Sequence, residues 1–225
     1  MAKKNFKKED EQLQEVGEAL STTGQWIEDN SNLITWIITG IVVVVLGIIA
    51  INNYVIKPKA NEASNENAKS VVYFQQGDFE KALNGDDAEC IGFAQTADNY
   101  RLYKTGKLAS LYAGICYYQL GDYEEAAKYL KRFKANDVNI GPAAAQLLGD
   151  AYVELQEYGK AVRAFENAAH SENDLIAPMS LKKAGLVYLE LGDKHSAKQA
   201  FETIKAKYPQ SSEASDIDKY IEIAK

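Results

Sequence analysis

The sequence predicts an all-α protein, with a single N-terminal transmembrane helix followed by a solenoid of helix–turn–helix pairs. Two observations lead to this prediction. Residues 33–51, LITWIITGIVVVVLGIIAI, include no charged residue, and a helix needs about 20 apolar residues to cross a bilayer core. Behind this stretch, Ala, Leu, Glu, Lys and Tyr recur at helical spacing, whereas the alternation typical of strands is scarce.

Composition limits the classes of function. The chain has 225 residues and a formal net charge of -7. Roughly 165 residues follow the apolar stretch, enough for one domain with a hydrophobic core. An acidic balance argues against nucleic acid, which requires a basic surface. Cys90 and Cys116 lie in no CxxC motif and have no His nearby in sequence. We expect two separate buried thiols, although an extracytoplasmic location would allow them to pair.

Residues 1–30 are predicted to form a short tail before the anchor. Four lysines near its start are followed by a run of Asp and Glu. Leu13, Val16 and Leu20 fall on one side of a short amphipathic helix. This side could contact a partner or the bilayer, although an acidic polar face disfavours anionic lipid. The alternative is a tail that is solvated along its whole length.

Residues 31–56 are predicted to be an uncleaved transmembrane anchor. The apolar run is too long for a typical signal peptide and leads into the polar sequence NNY with no A-x-A-like cleavage site. The alternative is a core helix of a globular domain, in which runs of this length and purity are rare. Trp26 and Trp36 stand where interfacial aromatic residues are expected.

Charge does not decide on which side of the membrane each part lies. Lysines mark the cytoplasmic side of a span, but they occur both in the tail and, as Lys57 and Lys59, directly after the anchor. Within the anchor, Gly40 and Gly47 lie on nearly the same side of the helix. They could let another membrane helix approach closely, or they could be a chance scatter of small residues.

Three segments of the remaining chain repeat one pattern at a spacing of about 35 residues, which is typical of tetratricopeptide repeats. Each has a glycine and a tyrosine in a first helix, then a leucine, and an alanine in a second helix. The glycine weakens the first helix by about 1 kcal/mol. We expect close packing of the second helix, with its alanine at the crossing, to offset this cost. The matching positions are Gly114, Gly149 and Gly185; Tyr117, Tyr152 and Tyr188; Leu120, Leu155 and Leu191; and Ala126, Ala161 and Ala197.

The turns inside the repeats also follow a pattern. Gly121-Asp122 and Gly192-Asp193 suit a tight turn, because Gly accepts a left-handed conformation and Asp caps the next helix. The second repeat has Gln156-Glu157 at the same place. We therefore expect its turn to be less favourable than the other two.

A degenerate first unit and a closing helix complete the predicted solenoid. Residues 71–83, VVYFQQGDFEKAL, carry the same aromatic, Gly-Asp and Ala signature, and an insert around Phe93 and Ala97 predicts an additional helix. Terminal repeats are often atypical because they cap the stack. The predicted boundaries are a juxtamembrane linker and start of the first helix at 57–69, a repeat domain at 70–209 with units 70–104, 107–140, 142–175 and 178–210, and a C-terminal capping helix at 211–225.

The first helix of each pair lines the inner surface of a tetratricopeptide stack, and we expect this surface to bind a partner. It is mostly apolar with an acidic centre at Asp150 and Glu154. Leu111 and Ile115 stand where a carboxylate-binding clamp would begin, so we expect hydrophobic segments to bind rather than a C-terminal carboxylate. The alternative is that residues 211–224 or a second subunit cover the groove. The expected positions are Leu108, Leu111, Ile115, Tyr118, Gln146, Asp150, Val153, Glu154, Lys182, Leu186 and Leu189.

The whole layout resembles the YfgM-like family of ancillary SecYEG translocon subunits. Residues 26–30, WIEDN, look like the family's aromatic, acidic and Asn approach to the span. FAQTADNY and LASLYAG, within residues 93–114, look like its segment before the regular repeats. The resemblance implies a single-pass protein of the bacterial inner membrane, with a cytoplasmic N-terminus and a periplasmic repeat domain. It also implies two partners, SecYEG and a membrane-anchored chaperone of the peptidyl-prolyl isomerase type.

The expected function is a membrane-tethered protein–protein interaction module beside the Sec translocon, which binds partner chaperones or unfolded secretory clients during protein translocation. A catalytic site requires a nucleophile with a base, a carboxylate pair or a metal cluster. The sequence shows no such motif and no phosphate-binding glycine loop, so we expect neither an enzyme nor a cofactor. Two alternatives stay open. One is a periplasmic scaffold for outer-membrane assembly or cell division, and the other is a cytoplasmic tail that sequesters a regulator while the repeats are structural.

Overall fold

The computed structural model describes Trp26 and residues 29–86, 90–171 and 173–225. The amphipathic side predicted for the tail, with Leu13, Val16 and Leu20, lies outside the described residues. The chain divides into two compact units, Met1–Lys57 and Pro58–Lys225.

The first unit contains helix α1, Ser31–Ile51, and a short π-helical segment, Asn52–Ile56. None of the α1 side chains is buried, and Trp36 is 75% exposed, so α1 is not a core helix. Among the described residues, the helical stretch to which α1 belongs is the one long and apolar enough to cross a membrane. A Cβ added at Gly40 or Gly47 would meet no atom within 4 Å. Their contact with another helix therefore stays a prediction.

The second unit consists of helices, with no β-strand among its described residues. Its first pair is α2, Lys57–Gln75, and α3, Phe79–Asn84. Next comes α4, Gly92–Asn99, which is the predicted additional helix. The regular pairs correspond to the three predicted repeats, although their first helices begin two or three residues before the predicted starts, and they confirm the all-α solenoid. They are α5, Lys104–Gln119, with α6, Tyr123–Leu130; α7, Ile140–Glu154, with α8, Tyr158–Ala169; and α9, Ile176–Glu190, with α10, Lys194–Lys207.

The glycines of the first helices contact large side chains of the second helices. A Cβ added at Gly149 would lie 2.5 Å from the Phe165 ring, and one at Gly185 would lie 2.3 Å from the Phe201 ring. At Gly114 the nearest atom is Leu130 Cγ, at 2.6 Å. The alanines predicted at the crossing are fully buried, but the side chain that requires each glycine is the larger residue one turn further along the second helix. The alanines are Ala126, Ala161 and Ala197.

The turn chemistry is as predicted. The carboxylates of Asp122 and Asp193 accept hydrogen bonds from the amides of Glu125 and Ser196, at 3.1 and 3.0 Å. Gly121 and Gly192 adopt φ values of 82° and 76°. In the second repeat Gln156 takes the left-handed conformation, with φ 57°, and the Glu157 side chain makes no capping hydrogen bond. This turn is the least favourable of the three regular turns, as its sequence predicted.

The predicted capping helix is divided into two parts. Ser212–Asp216 form a 3-10 helix, and α11, Ile217–Ile223, follows. Ile217 and Ala224 are buried in one cluster with Phe201 and Ile204 of α10. The closing segment therefore covers the hydrophobic core at the end of the third regular pair.

Both cysteines are free and buried, as predicted. Cys116 is fully buried in a core cluster with Ala113 and Tyr129. Burial raises the pKa of its thiol to about 12. Because the thiolate is the reactive form of cysteine, we expect Cys116 to react slowly near neutral pH.

Candidate protein-interaction site

We use the term first-helix surface for the predicted contact positions on α5, α7 and α9. The close approach of each second helix at Gly114, Gly149 and Gly185 fixes which side of these helices remains open. Leu108 and Leu186 are 38% and 42% exposed. Glu154 is also exposed. These three side chains are the most accessible part of the first-helix surface.

Leu111 is a core residue and cannot serve as an exposed contact. Only 8% of its surface is exposed, because it packs with Leu130 of α6 and Ala144 of α7. Register on α5 directs Leu111 inward as expected, but the next repeat covers it. We therefore remove Leu111 from the proposed contact residues.

Most of the remaining apolar positions on this surface are half-buried. Ile115 packs against the cluster around Leu111, and Tyr118 packs against the cluster of small residues at the α6–α7 contact. Val153 and Leu189 pack against the clusters around Phe165 and Phe201. Gln146 is half-buried as well. Each of these residues offers a partner only part of its surface.

The acidic centre is partly neutralised by a lysine that the sequence did not reveal. Lys183 donates to the two carboxylate oxygens of Asp150 at 2.8 and 2.7 Å, which joins α9 to α7. Burial raises the pKa of the Tyr118 hydroxyl, and the negative charges of Asp150 and Glu154 raise it further. The structure thus brings these three predicted residues together. Register along one helix does not reveal the Asp150–Lys183 pair, because its members lie on neighbouring repeats.

The closing segment occupies the third-repeat end of the first-helix surface. Lys182 Nζ lies 2.6 Å from a carboxylate oxygen of Asp216 and 4.9 Å from the centre of the Tyr220 ring. Leu189 packs against the same cluster as Ile217. The alternative in which residues 211–224 cover the groove therefore holds at Lys182 and Leu189, whereas Leu186 stays exposed.

Two clefts that the sequence does not predict lie at the contacts between repeats. One, of about 670 Å³, is bordered by Phe133, Pro142 and His170. The other, of about 640 Å³, is bordered by Leu181, Tyr188 and Thr203. In the second cleft the Tyr188 hydroxyl donates to Glu166 at 2.6 Å, and burial raises the pKa of Tyr188 to about 12. Neither cleft is lined by a residue of the first-helix surface.

The first-helix surface carries groups that suit binding. In the described part of the chain, no three His, Cys, Asp or Glu side chains come together to hold a metal ion. The first-helix surface combines exposed leucines, the edge of Tyr118 and the Glu154 carboxylate, which forms no ion pair with a described residue. Such a surface can bind a peptide or a protein through apolar contacts.

Comparison with known families identifies the repeats. A family described as anaphase-promoting complex, cyclosome, subunit 3 matches residues 96–168, and a tetratricopeptide repeat family matches residues 181–211. The chain is a tetratricopeptide repeat protein. The first matched range extends from α4 into α8, and the second extends from α9 to the start of the closing segment. No curated protein matches the chain.

Tetratricopeptide repeat families are non-catalytic protein-interaction modules. The chain is thus a protein-interaction module, and a protein is the expected class of partner. Neither match bears on the resemblance to YfgM-like translocon subunits, which stays a prediction.

Proposed function

We propose that this tetratricopeptide repeat protein acts while tethered to a membrane. The observation that carries the proposal is the succession, in one chain, of an uncharged helix with exposed apolar side chains and a stack of helix pairs. The helix has the length and composition of a membrane span. Stacked helix pairs present extended binding surfaces. A membrane tether and a binding surface in the same chain would allow the protein to hold its partner at the membrane.

The proposed contact residues are the accessible members of the first-helix surface. Leu108 and Leu186 supply exposed apolar area, and Tyr118 and Glu154 supply a polar centre. A partner segment with apolar side chains and a central polar or basic group would complement them. Leu111, Lys182 and Leu189 are engaged within the domain and are left out of this set.

The finer proposal is an ancillary role at the Sec translocon. The repeat domain would lie in the periplasm, the anchor in the bacterial inner membrane and the tail in the cytoplasm. SecYEG and a membrane-anchored chaperone of the peptidyl-prolyl isomerase type would be the partners. This proposal is supported by the resemblance at residues 26–30 and 93–114. The match to a family named for a subunit of a multiprotein complex supports membership of an assembly and leaves the partner open.

Affinity purification of the full-length protein from bacterial membranes in a mild detergent tests the proposal. We expect translocon subunits and the isomerase-type chaperone to copurify. Recovery of outer-membrane assembly or cell-division proteins would instead support a periplasmic scaffold for another envelope machine. A soluble regulator whose recovery is lost when residues 1–30 are deleted would support a regulatory tail.

A further inference from the structure

Residues 100–107 comprise the turn between α4 and α5 and the first residues of α5, and they expose an unusual side chain. We call this segment the α4–α5 turn. Leu102 is 92% exposed, more than any other large hydrophobic residue in the described chain. The turn around it is tightly closed, because the Tyr103 amide donates to the Tyr100 carbonyl at 2.8 Å. A Cβ added at Gly106 would lie 2.0 Å from that same carbonyl oxygen. The hydrogen bond and the close approach at Gly106 therefore hold the turn in a conformation that exposes Leu102.

Three cations surround Leu102 along the chain. Arg101, Lys104 and Lys107 are exposed and form no ion pair with any described residue. The carboxylates in this region have other partners. Asp98 pairs with Arg132 at 2.5 Å, and Glu66 pairs with Lys69 at 3.1 Å. In a chain with a net charge of -7, the α4–α5 turn is thus a local positive site with an apolar tip.

The α4–α5 turn is fixed to the part of α2 that follows the anchor in sequence. Asn67 Nδ2 donates to the Thr105 carbonyl at 2.9 Å. Burial raises the pKa of Tyr100, and the neighbouring Glu62 carboxylate on α2 raises it further. The domain packs against α2 near the start of that helix, because Ala63 is fully buried. Glu62 lies six positions after Ile56, the last residue of the π-helical segment. The turn is thus bound to a part of α2 that lies close in sequence to the end of the apolar segment.

We propose that the α4–α5 turn is a contact site for anionic lipid headgroups in the membrane that holds the anchor. This inference rests on the proposed membrane tether. Leu102 inserts at the boundary between headgroups and acyl chains, and the three cations bind lipid phosphates around it. Each cation near an anionic surface raises the population of the contacting state about fivefold. Such a contact holds the repeat stack in one orientation at the membrane surface.

Site-specific fluorescence on the full-length protein in vesicles tests this site. Leu102→Cys is labelled with an environment-sensitive fluorophore in vesicles of phosphatidylcholine, with or without phosphatidylglycerol. The matched control is Leu175→Cys, a 65% exposed leucine that lies ahead of α9 and beside the acidic Asp174. Unsubstituted protein measures background labelling of the two buried cysteines. We expect a blue shift and protection from an aqueous quencher at position 102 in anionic vesicles, and no change at 175.

A charge-matched pair of variants tests the role of the cations. One triple variant carries Arg101→Gln, Lys104→Gln and Lys107→Gln. Because each lost cation lowers the lipid-contacting population about fivefold, the three together should lower it about a hundredfold. Arg163→Gln with Lys194→Gln and Lys207→Gln removes the same charge from exposed positions elsewhere and should leave that population unchanged. Equal effects of the two triple variants would overturn the site. A shift that is equally large in pure phosphatidylcholine would overturn anionic lipid as the ligand.

Incorporation into the vesicles separates this inference from the proposed tether. A protein that incorporates but keeps the position 102 probe in water refutes the lipid contact and leaves the tether intact. A protein that does not incorporate refutes the tether and, with it, the lipid contact. A shift that appears only when an acidic partner protein is added would assign the turn to that protein and overturn the proposal.

Discussion

At the residue scale, the close approach of the two helices in a regular pair depends on a glycine of the first helix, which has no β-carbon. Gly149 and Gly185 leave room for the rings of Phe165 and Phe201, which are almost completely buried. The glycines cost helix propensity, but they allow large aromatic side chains to fill the space between the two helices of a pair. An alanine would improve propensity and collide with the ring.

Gly149→Ala and Gly185→Ala should therefore destabilise the domain. The new Cβ would lie within 2.5 Å of a ring carbon, and overpacking of this kind costs about 1–3 kcal/mol. The gain in helix propensity is only about 1 kcal/mol. Thermal unfolding of the full-length protein in mild detergent, followed by circular dichroism, should show a lower Tm for both variants. Gly159→Ala on α8 is the control, since its Cβ would meet no atom within 4 Å and its Tm should not fall. A Tm that rises alike in all three variants would contradict this role for the close contact.

The turn of the second regular repeat can be improved. Gln156 holds a left-handed conformation, which costs a residue other than glycine about 1–2 kcal/mol. Glu157 stands where Asp caps the helix in the other two regular repeats, and a good cap contributes about 1 kcal/mol. Gln156→Gly with Glu157→Asp should therefore raise Tm in the same experiment. The reverse change, Gly192→Gln with Asp193→Glu, should lower it. An unchanged Tm in both variants would show that the turns do not limit stability.

At the element scale, features that depend on residues close in sequence were predictable, whereas contacts between successive repeats were not. Asp122 caps its helix through an amide only three residues away, so its role could be read from the sequence. The burial of Leu111 depends on Ala144, and the pairing of Asp150 depends on Lys183, each on the next repeat. Such contacts depend on the angle between successive pairs, which the repeat pattern does not specify. The all-α repeat architecture was therefore predicted correctly, whereas the repeat pattern could not show which positions of the first-helix surface stay accessible.

The corrected first-helix surface gives a sharper binding test. Leu108→Ser with Leu186→Ser removes the two most exposed leucines of the first-helix surface, and because both are exposed the fold should be retained. Burial of one such side chain at an interface contributes about 1.5–3 kcal/mol. The double variant should thus weaken binding of the copurified partner more than tenfold, with unchanged helicity and Tm.

Two controls accompany this measurement. Leu175→Ser with Leu191→Ser removes exposed leucines outside the first-helix surface and should leave affinity unchanged. Leu111→Ser places a hydroxyl in the core and should lower Tm, which distinguishes a structural leucine from a contact leucine. Equal affinity of the two double variants would exclude the first-helix surface as the binding site.

At the scale of the whole molecule, function depends on which side of the membrane the repeats occupy. The lysines on both sides of the anchor do not determine this, and the proposed periplasmic location is supported by the family resemblance alone. The structure makes a clean labelling test possible. Both native cysteines are buried, and burial raises the pKa of Cys116 to about 12. An impermeant thiol reagent should therefore give little background.

Leu175→Cys in the repeat domain and Ser21→Cys in the tail form a matched pair for this test. Leu175 is 65% exposed, so its cysteine should react in intact spheroplasts if the repeats are periplasmic. The tail cysteine should react only after lysis, because the anchor would hold residues 1–30 in the cytoplasm. The opposite pattern would place the repeats in the cytoplasm, where they could not meet clients emerging from the translocon. Such a result would retain the membrane-tethered interaction module and remove its proposed role at the periplasmic face of the translocon.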